Sequence, residues 1–517
     1  MTYVAGVDSS TQSVKVVVCD AETGAVVRTG RAPHPDGSEV SAQAWLDAYR
    51  TATADPALLE GVEALSVGGQ QHGMVTLDES GELVRDALLW NDNRSAPDAR
   101  DLIDELGGGA AWADAVGSVP VASMTVTKLR WLARAEPEHA ARTHAVVLPH
   151  DWLTWQIGGR SFEPTTDRGD ASGTLYFDAT SGRYRDDLVR RALGHDLVLP
   201  RVARPDEVVA QGPADQVVAV PARRRVDLVR RALGHDLVLP RVARPDEVVG
   251  HTPEGIAIAA GTGDNMAAGL GLGLQEHEAV VSLGTSGTAF TRSSRQTHEP
   301  TGTVAGFADA TGAFLPLVCT LNGARNLVAA AELLGVSLDE LSRLALSAEP
   351  GSDGLTFLPY LEGERTPPLP DARGELSGMT LRNMTPANVA RATIEGVLWS
   401  LAYGVQVLQE QTGPVTAITL TGGASQSDAV RRIAPAVFGL PIRVTDTFES
   451  VAVGAARQAA WALTGSLPEW PVPVLSEHEP TTADQVAAVE LSERYRAVLL
   501  DRHPSTSAVA VSTENAG

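Results

Sequence analysis

Three short stretches rich in glycine and hydroxyl side chains, each at the end of an apolar run, restrict the possible fold most. DSSTQS (8–13) lies between apolar Val4–Val7 and Val14–Cys19, SLGTSG (282–287) sits inside EAVVSLGTSGTAFT, and TGGAS (421–425) follows the strand-like AITL. Each reads as a strand entering a tight turn. The first two turns return as a second strand, and the third opens a helix. A hairpin with a hydroxyl-rich tip in each half of a 517-residue chain predicts two domains of mixed strand and helix, not one extended core.

Between these landmarks the pattern continues. A helix carrying Trp45 and Leu46 follows the first hairpin, then ALSVGGQQHGMVTLD (64–78) reads as a strand with a glycine-rich interruption, and strand, helix, strand order is expected to about residue 180. The domains are expected at 1–250 and 251–475, followed by a C-terminal segment 476–517 with one helix over 483–500. The last stretch, STSAVAVSTENAG, is expected to be disordered.

A formal net charge of −23 makes phosphate backbones and anionic lipid poor partners, so an anionic ligand needs a local cluster of donors. The chain has no 18-residue apolar run and no basic start followed by an apolar stretch, which predicts a cytoplasmic protein. Two cysteines, Cys19 and Cys319, are too few for a disulfide framework or a thiolate zinc site. The only lysines are Lys15 and Lys128, and neither closes a G-x-x-x-x-G-K-[ST] loop, which excludes a Walker-type nucleotide site.

One segment breaks the grammar. DLVRRALGHDLVLPRVARPDEVV occurs at 187–209 and again, letter for letter, at 227–249. Solenoid repeats diverge and come in threes or more, so a single perfect copy at an offset of 40 reads as a recent tandem duplication, or as a cloning or assembly artefact, and not as a repeat architecture. Two identical segments cannot fill one slot in a core; one copy is expected to pack and the other to form a surface excursion.

The turns carry candidate chemistry, each beside a plainer reading. In DSSTQS, amides and hydroxyls can hold phosphate oxygens, and Asp8 at a strand end can hold hydrated Mg²⁺; Asp and Ser are also ordinary turn residues. GGQQHGM (68–74) sets Gln70, Gln71 and His72 between glycines, a neutral donor and acceptor cluster suited to sugar hydroxyls or equally to a strand bulge. GTGDNMAAG (261–269) holds Asp264, which reads either as the cap of the helix in MAAGLGLG or as a base for an attacking hydroxyl.

Taken in order, GVDSSTQSVKVVV, GGQQHGMVTLD, LLWNDNR, HDWLTWQIGG, AGTGDNMAAG, SLGTSGTAF, FLPYLEGERTPPLPDARG, TLTGGASQSD and VAVGAARQA resemble the FGGY carbohydrate kinases, and among them those acting on xylulose. GELSGMTLRNMTPANVARATIE fits the family's C-terminal signature throughout, and SMTVTKLRWL fits the N-terminal one in part. The resemblance covers nearly the whole chain outside the duplication and the tail.

It implies an α/β, two-domain actin-like ATPase (ribonuclease H-like) fold, with mixed sheets flanked by helices and the active site in the interdomain cleft. The implied reaction is ATP- and Mg²⁺-dependent phosphorylation of D-xylulose at its terminal hydroxyl, with a homodimer as the implied assembly. Asp264 is then the base and Asp8 the Mg²⁺-associated carboxylate. Gln71, His72, Asp264 and Asn265 contact the sugar; Thr11, Gln12 and Ser13 line the first phosphate turn, with Lys15 near the phosphates. Gly284 and Thr285 form the second phosphate turn, and Gly423 and Ala424 the adenine and ribose platform. Ser10 departs from the family's D-x-G-T turn, which sets that turn slightly farther from the phosphates. Other sugars or polyols (ribulose, gluconate, glycerol) and a catalytically idle sugar-binding relative stand as alternatives.

Overall fold

The computed structural model describes residues 1–193, 238–445 and 449–506. Two mixed sheets form its frame. The first joins β1 (Tyr3–Ser9), β2 (Ser13–Asp20), β3 (Val26–Pro33), β4 (Val62–Gly69), β5 (Val248–His251), β6 (Ala257–Ala259) and β7 (Thr262–Gly263). The second joins β8 (Glu278–Leu283), β9 (Gly287–Thr291), β10 (Ala305–Ala308), β11 (Phe314–Thr320), β12 (Ala417–Thr421), β13 (Ile442–Thr445) and β14 (Val474–His478).

Their orders are β5-β6-β4-β1-β2-β3, with β7 also on β4, and β10-β11-β9-β8-β12-β13-β14. In the first, β1, β2 and β3 run antiparallel and β4 lies parallel to β1 on its other side. In the second, β8, β9 and β11 run antiparallel and β12 lies parallel to β8. Without the edge strands both sheets read third-second-first-fourth-fifth, so the molecule has the two-domain actin-like ATPase fold.

Local pattern explains the central strands. Along β1, Ala5 and Val7 pack with Trp45 and Leu46 of α1 (Gln43–Ala52), whereas Val4 packs with Ala452, Val453 and Ala456. Both faces of β1 are covered, which is why it lacks the polar alternation of a half-exposed strand. The short helices that serve the site are α2 (Pro149–Ile157), α3 (Arg168–Ser172) and α4 (Asp264–Gly271). The second sheet is covered by α5 (Pro386–Thr412) and α6 (Asp428–Phe438), which contribute Leu398, Leu401 and Ile433 to its core.

The covering helix on the other face of β1 comes from late in the chain. It is α7 (Ser450–Thr464), buried without interruption from Ala452 to Ala460. A Cβ at Gly6 of β1 would lie 1.8 Å from the Ala452 carbonyl oxygen, and one at Gly454 of α7 1.8 Å from the Ala267 carbonyl oxygen of α4. Small residues thus bring strand, α7 and α4 together backbone to backbone. The last helix, α8 (Thr482–Arg502), is opened by a Thr481–Asp484 capping box and tied to the second core by Tyr495, whose hydroxyl lies 2.9 Å from that of Tyr360.

Three expectations need adjustment. The first sheet runs on to Gly263, so a division at residue 250 falls inside β5; likewise β14 and α8 belong to the second domain's sheet and core. From residue 96 to 157 helices dominate, with five of them and only the short strand Ala145–Val147, so strand and helix do not alternate evenly there. The duplication is used as a composite. Residues 187–193 of the first copy lie in the helix Asp186–Leu193, with Leu188, Val189 and Ala192 fully buried. Residues 238–249 of the second copy supply the strand Arg241–Ala243, paired with Thr165–Asp167, and the start of β5. The rest of both copies, and residues 507–517 of the tail, lie outside the described residues. No helix among the described residues is long and apolar enough to cross a membrane.

Candidate active site

The carboxyl ends of adjacent parallel strands gather the candidate residues, as open α/β sheets favour. In the first domain Ser9 of β1 sits beside Gly69 of β4, which in turn sits beside Gly263 of β7. The first turn, GGQQH and Asp264 therefore leave the sheet side by side. In the second domain Ser282 of β8 is paired with Thr421 of β12, so the turns at 284–286 and 422–424 are neighbours too.

Asp264 is the first residue of α4, and the N-cap position belongs to Gly263. Its carboxylate does not cap the helix, contrary to one reading of the sequence. Instead Asn265 places its backbone N–H (2.8 Å) and its side-chain amide (2.9 Å) on the same oxygen, Oδ1. The Asn265 amide also donates to Gln71 Oε1 at 2.9 Å, which joins the three residues into one cluster. Burial, with added repulsion from Asp8 and Asp170, pushes the Asp264 carboxyl up to about 7.

His72 has a positive φ of 66° and its ring packs against Phe307 of the second domain, with centroids 5.2 Å apart. Its Nδ1 lies 3.0 Å from the Gly173 carbonyl oxygen. A carbonyl only accepts, so Nδ1 carries the proton and Nε2 is left as an acceptor. Burial, helped by the charges of Lys128 and Arg365, lowers the ring to about 3 and keeps it neutral. The side-chain nitrogen of Gln71 and both polar atoms of Gln70 are buried without a protein partner, which marks this wall as one that expects polar company.

Asp8, 2 % exposed near the end of β1, accepts a hydrogen bond from the Ser10 hydroxyl on Oδ1 and stands 3.5 Å from the Lys15 ammonium through Oδ2. Burial raises its carboxyl, while Lys15 and Ser10 pull it back down. The family's glycine is thus replaced by a side chain that occupies one Asp8 oxygen. Lys15 is itself held by Glu449 at 2.6 Å. Thr11 accepts a hydrogen bond from Trp90 Nε1 at 2.9 Å, Gln12 is exposed and gives its carbonyl to the His34 amide at 2.8 Å, and Ser13 is buried at the start of β2. No motif in the sequence marks Glu449, and Trp90 stands in LLWNDNR without a feature that sets it apart from its neighbours.

In the second domain Thr285 is exposed, and the turn is braced by Ala324, whose amide donates to the Gly284 carbonyl oxygen at 2.8 Å. Gly423 opens a short 3-10 turn; a Cβ there would meet nothing within 4 Å, so its face is bare. Its neighbour Gly422 is the packed one, since a Cβ there would lie 2.6 Å from the Leu283 carbonyl oxygen. Ala424 is half-buried beside them.

A single carboxylate with a neighbouring hydroxyl, in the field of a second carboxylate, is a donor set that fits Mg²⁺ completed by water and phosphate oxygens. A tighter acid cluster among the described residues, His150, Asp151 and Asp170, has one ligand atom of each within 4.8 Å of the others but is wholly buried, with its imidazole already spanning the two carboxylates.

Comparison with known proteins gives the family. Residues 3–224 match the N-terminal domain, and residues 279–463 the C-terminal domain, of the FGGY family of carbohydrate kinases. The chain is 44% identical over 469 residues to the xylulose kinase of Streptomyces coelicolor, covering 89% of this chain and 88% of that protein. It is 41% identical over 511 residues to the xylulose kinase of Streptomyces rubiginosus, covering 97% and 96%. The crystal structure of xylulose kinase from Bifidobacterium adolescentis superposes with a TM-score of 0.81 at 41% identity, covering 95% of this chain and 99% of that one.

Proposed function

The chain belongs to the FGGY family of carbohydrate kinases, and from that premise we propose that it transfers the γ-phosphate of ATP to the terminal hydroxyl of D-xylulose. The observation that carries the mechanism is the Gln71–Asn265–Asp264 cluster at the ends of β4 and β7, with Asp8 close enough to raise the proton affinity of Asp264.

Asn265 holds one oxygen of Asp264 and so presents the other to the sugar hydroxyl, whose proton the carboxylate takes as the oxygen attacks phosphorus. The buried amide nitrogen of Gln71 and the acceptor Nε2 of His72 hold further hydroxyls of the sugar. Thr11, Gln12 and Ser13 on one side, and Gly284 and Thr285 on the other, offer amides and hydroxyls to the phosphates, with the bare face of Gly423 and Ala424 beneath the adenosine. Asp8 would hold Mg²⁺, which when bound would supply charge neutralisation for the transferring group. Closing of the two domains over both substrates keeps water from the γ-phosphate. Dependence on ATP supports a cytoplasmic place of work.

The test is ADP release by the purified full chain with Mg²⁺ and ATP, comparing D-xylulose with ribulose, gluconate, glycerol and no sugar. Turnover that depends on xylulose is expected. Equal or greater turnover with another of these substrates would reassign the sugar.

A further inference from the structure

Of the three residues that precede Asp264, two are hydrogen-bonded to buried polar side chains and the third is packed against one. Gly261 gives its carbonyl oxygen to Gln458 Nε2 of α7 at 3.1 Å, and Gln458 is held in turn by Ser66 of β4 at 2.7 Å. On its other side Gly261 abuts His150, since a Cβ there would lie 2.6 Å from the ring. Gly263 lies against the Gln71 side chain in the same manner, at 2.7 Å. Thr262, between them and fully buried, donates its hydroxyl to Asp167 Oδ2 at 2.9 Å.

Asp167 has no freedom to follow. Its two carboxylate oxygens accept the amides of Asp170 and Gly169, each at 2.8 Å, and so cap α3. Asp170 turns its own carboxylate onto His150 Nδ1 at 2.6 Å, and Asp151 of α2 lies 3.2 Å from the other ring nitrogen. With both oxygens engaged by the first turn of α3 and neither exposed to water, Asp167 is held in one arrangement and resists displacement. The Thr262 hydroxyl is the only side-chain tether from β7 to this cluster among the described hydrogen bonds.

We propose that Thr262, through its hydrogen bond to Asp167 in the buried His150–Asp170–Asp167 cluster, is a positioning residue that fixes where Asp264 stands for proton abstraction. The inference rests on Asp264 being the base. Only Gly263 lies between Thr262 and Asp264, and β7 is held to β4 by two paired residues, Thr262 and Gly263. Loss of the tether therefore lets Asp264 shift relative to the backbone of β4, from which Gln71 and His72 hang.

The test compares Thr262→Val with Thr262→Ser. Valine keeps the shape and removes the hydroxyl, and kcat is expected to fall about 10- to 100-fold, with KM for xylulose and the Kd for ATP changing less than about threefold. Serine restores the hydroxyl and is expected to recover most of the lost turnover. A Thr262→Val enzyme with kcat within about twofold of the parent, or a serine variant no better than valine, would overturn the proposal. Asp167→Asn supplies a double-mutant cycle: the valine effect is expected to shrink in that background, and full additivity counts against coupling. Asp264→Asn separates the two readings. If it is dead while Thr262→Val is near native, only the positioning role fails; if it turns over normally, the base assignment fails and the positioning role with it.

Discussion

Lys15 Nζ lies 2.6 Å from Oε2 of Glu449, a residue 434 positions later in the chain, and 3.5 Å from Oδ2 of Asp8. One of the two lysines of the protein is thus shared between a carboxylate assigned to Mg²⁺ and one with no assigned part in the reaction. The pair is partly exposed, so it adds little to stability, at most about 1 kcal/mol. Its effect falls instead on how freely Lys15 can meet a phosphate.

Replacing Glu449 with Gln is therefore expected to tighten ATP binding about two- to fivefold at low salt, with the gain shrinking as ionic strength rises. Calorimetric titration with ATP at two salt concentrations checks this. Unchanged or weaker binding at low salt would remove Lys15 from the phosphate site.

Asp264 accepts a proton only as the anion. With its carboxyl pushed up to about 7 by burial, then by Asp8 and Asp170, the anion is lost as pH falls through that value. The profile of kcat/KM for xylulose is expected to be flat above about pH 8 and to fall on the acid side with a midpoint near 7. Asp264→Asn is expected to lower kcat by at least about a hundredfold while ATP still binds.

In the proposed site His72 is a neutral acceptor for a sugar hydroxyl. Asn tolerates the positive φ found there but does not reach as far, so His72→Asn is expected to raise KM for the sugar about 10- to 100-fold and to leave KM for ATP unchanged. Because the ring protonates only near pH 3, sugar affinity is expected to show no limb from this histidine between about pH 5 and 8. Initial rates at varied xylulose for the parent and His72→Asn provide the comparison.

Removing residues 194–233 leaves one complete copy of DLVRRALGHDLVLPRVARPDEVV and deletes no residue of the described fold. The shortened protein is expected to keep its activity and to unfold within a few degrees of the parent on heating. An inactive or aggregated product would show that the duplicated segment has become part of the working structure.

How much of this was legible in the letters depends on range. The hairpins and their hydroxyl turns are local, so DSSTQS and SLGTSG announced themselves, and Asp264 stood out as an acid in a glycine run. The resemblance then assigned roles that the turns alone left open. Asp264 as a helix cap was a fair local reading, but the chain enters α4 one residue earlier, at Gly263. The contacts of Glu449 with Lys15 and of Thr262 with Asp167 join residues far apart in sequence, where no spacing rule applies. Likewise nothing in the letters of VAVGAARQA says which sheet α7 covers.

The covering helix α7 is made late in synthesis. The face of β1 that presents Val4 and Gly6 is closed by residues 452–456, so on a ribosome the first sheet stays open on one side until almost the whole chain has emerged. Its apolar strands must wait, exposed, through the making of the second sheet. The N-terminal half is accordingly not a module that matures alone. A stop codon placed between the two domains should yield a fragment that chaperones hold and proteases clear, and supplying the missing helix in trans should rescue it.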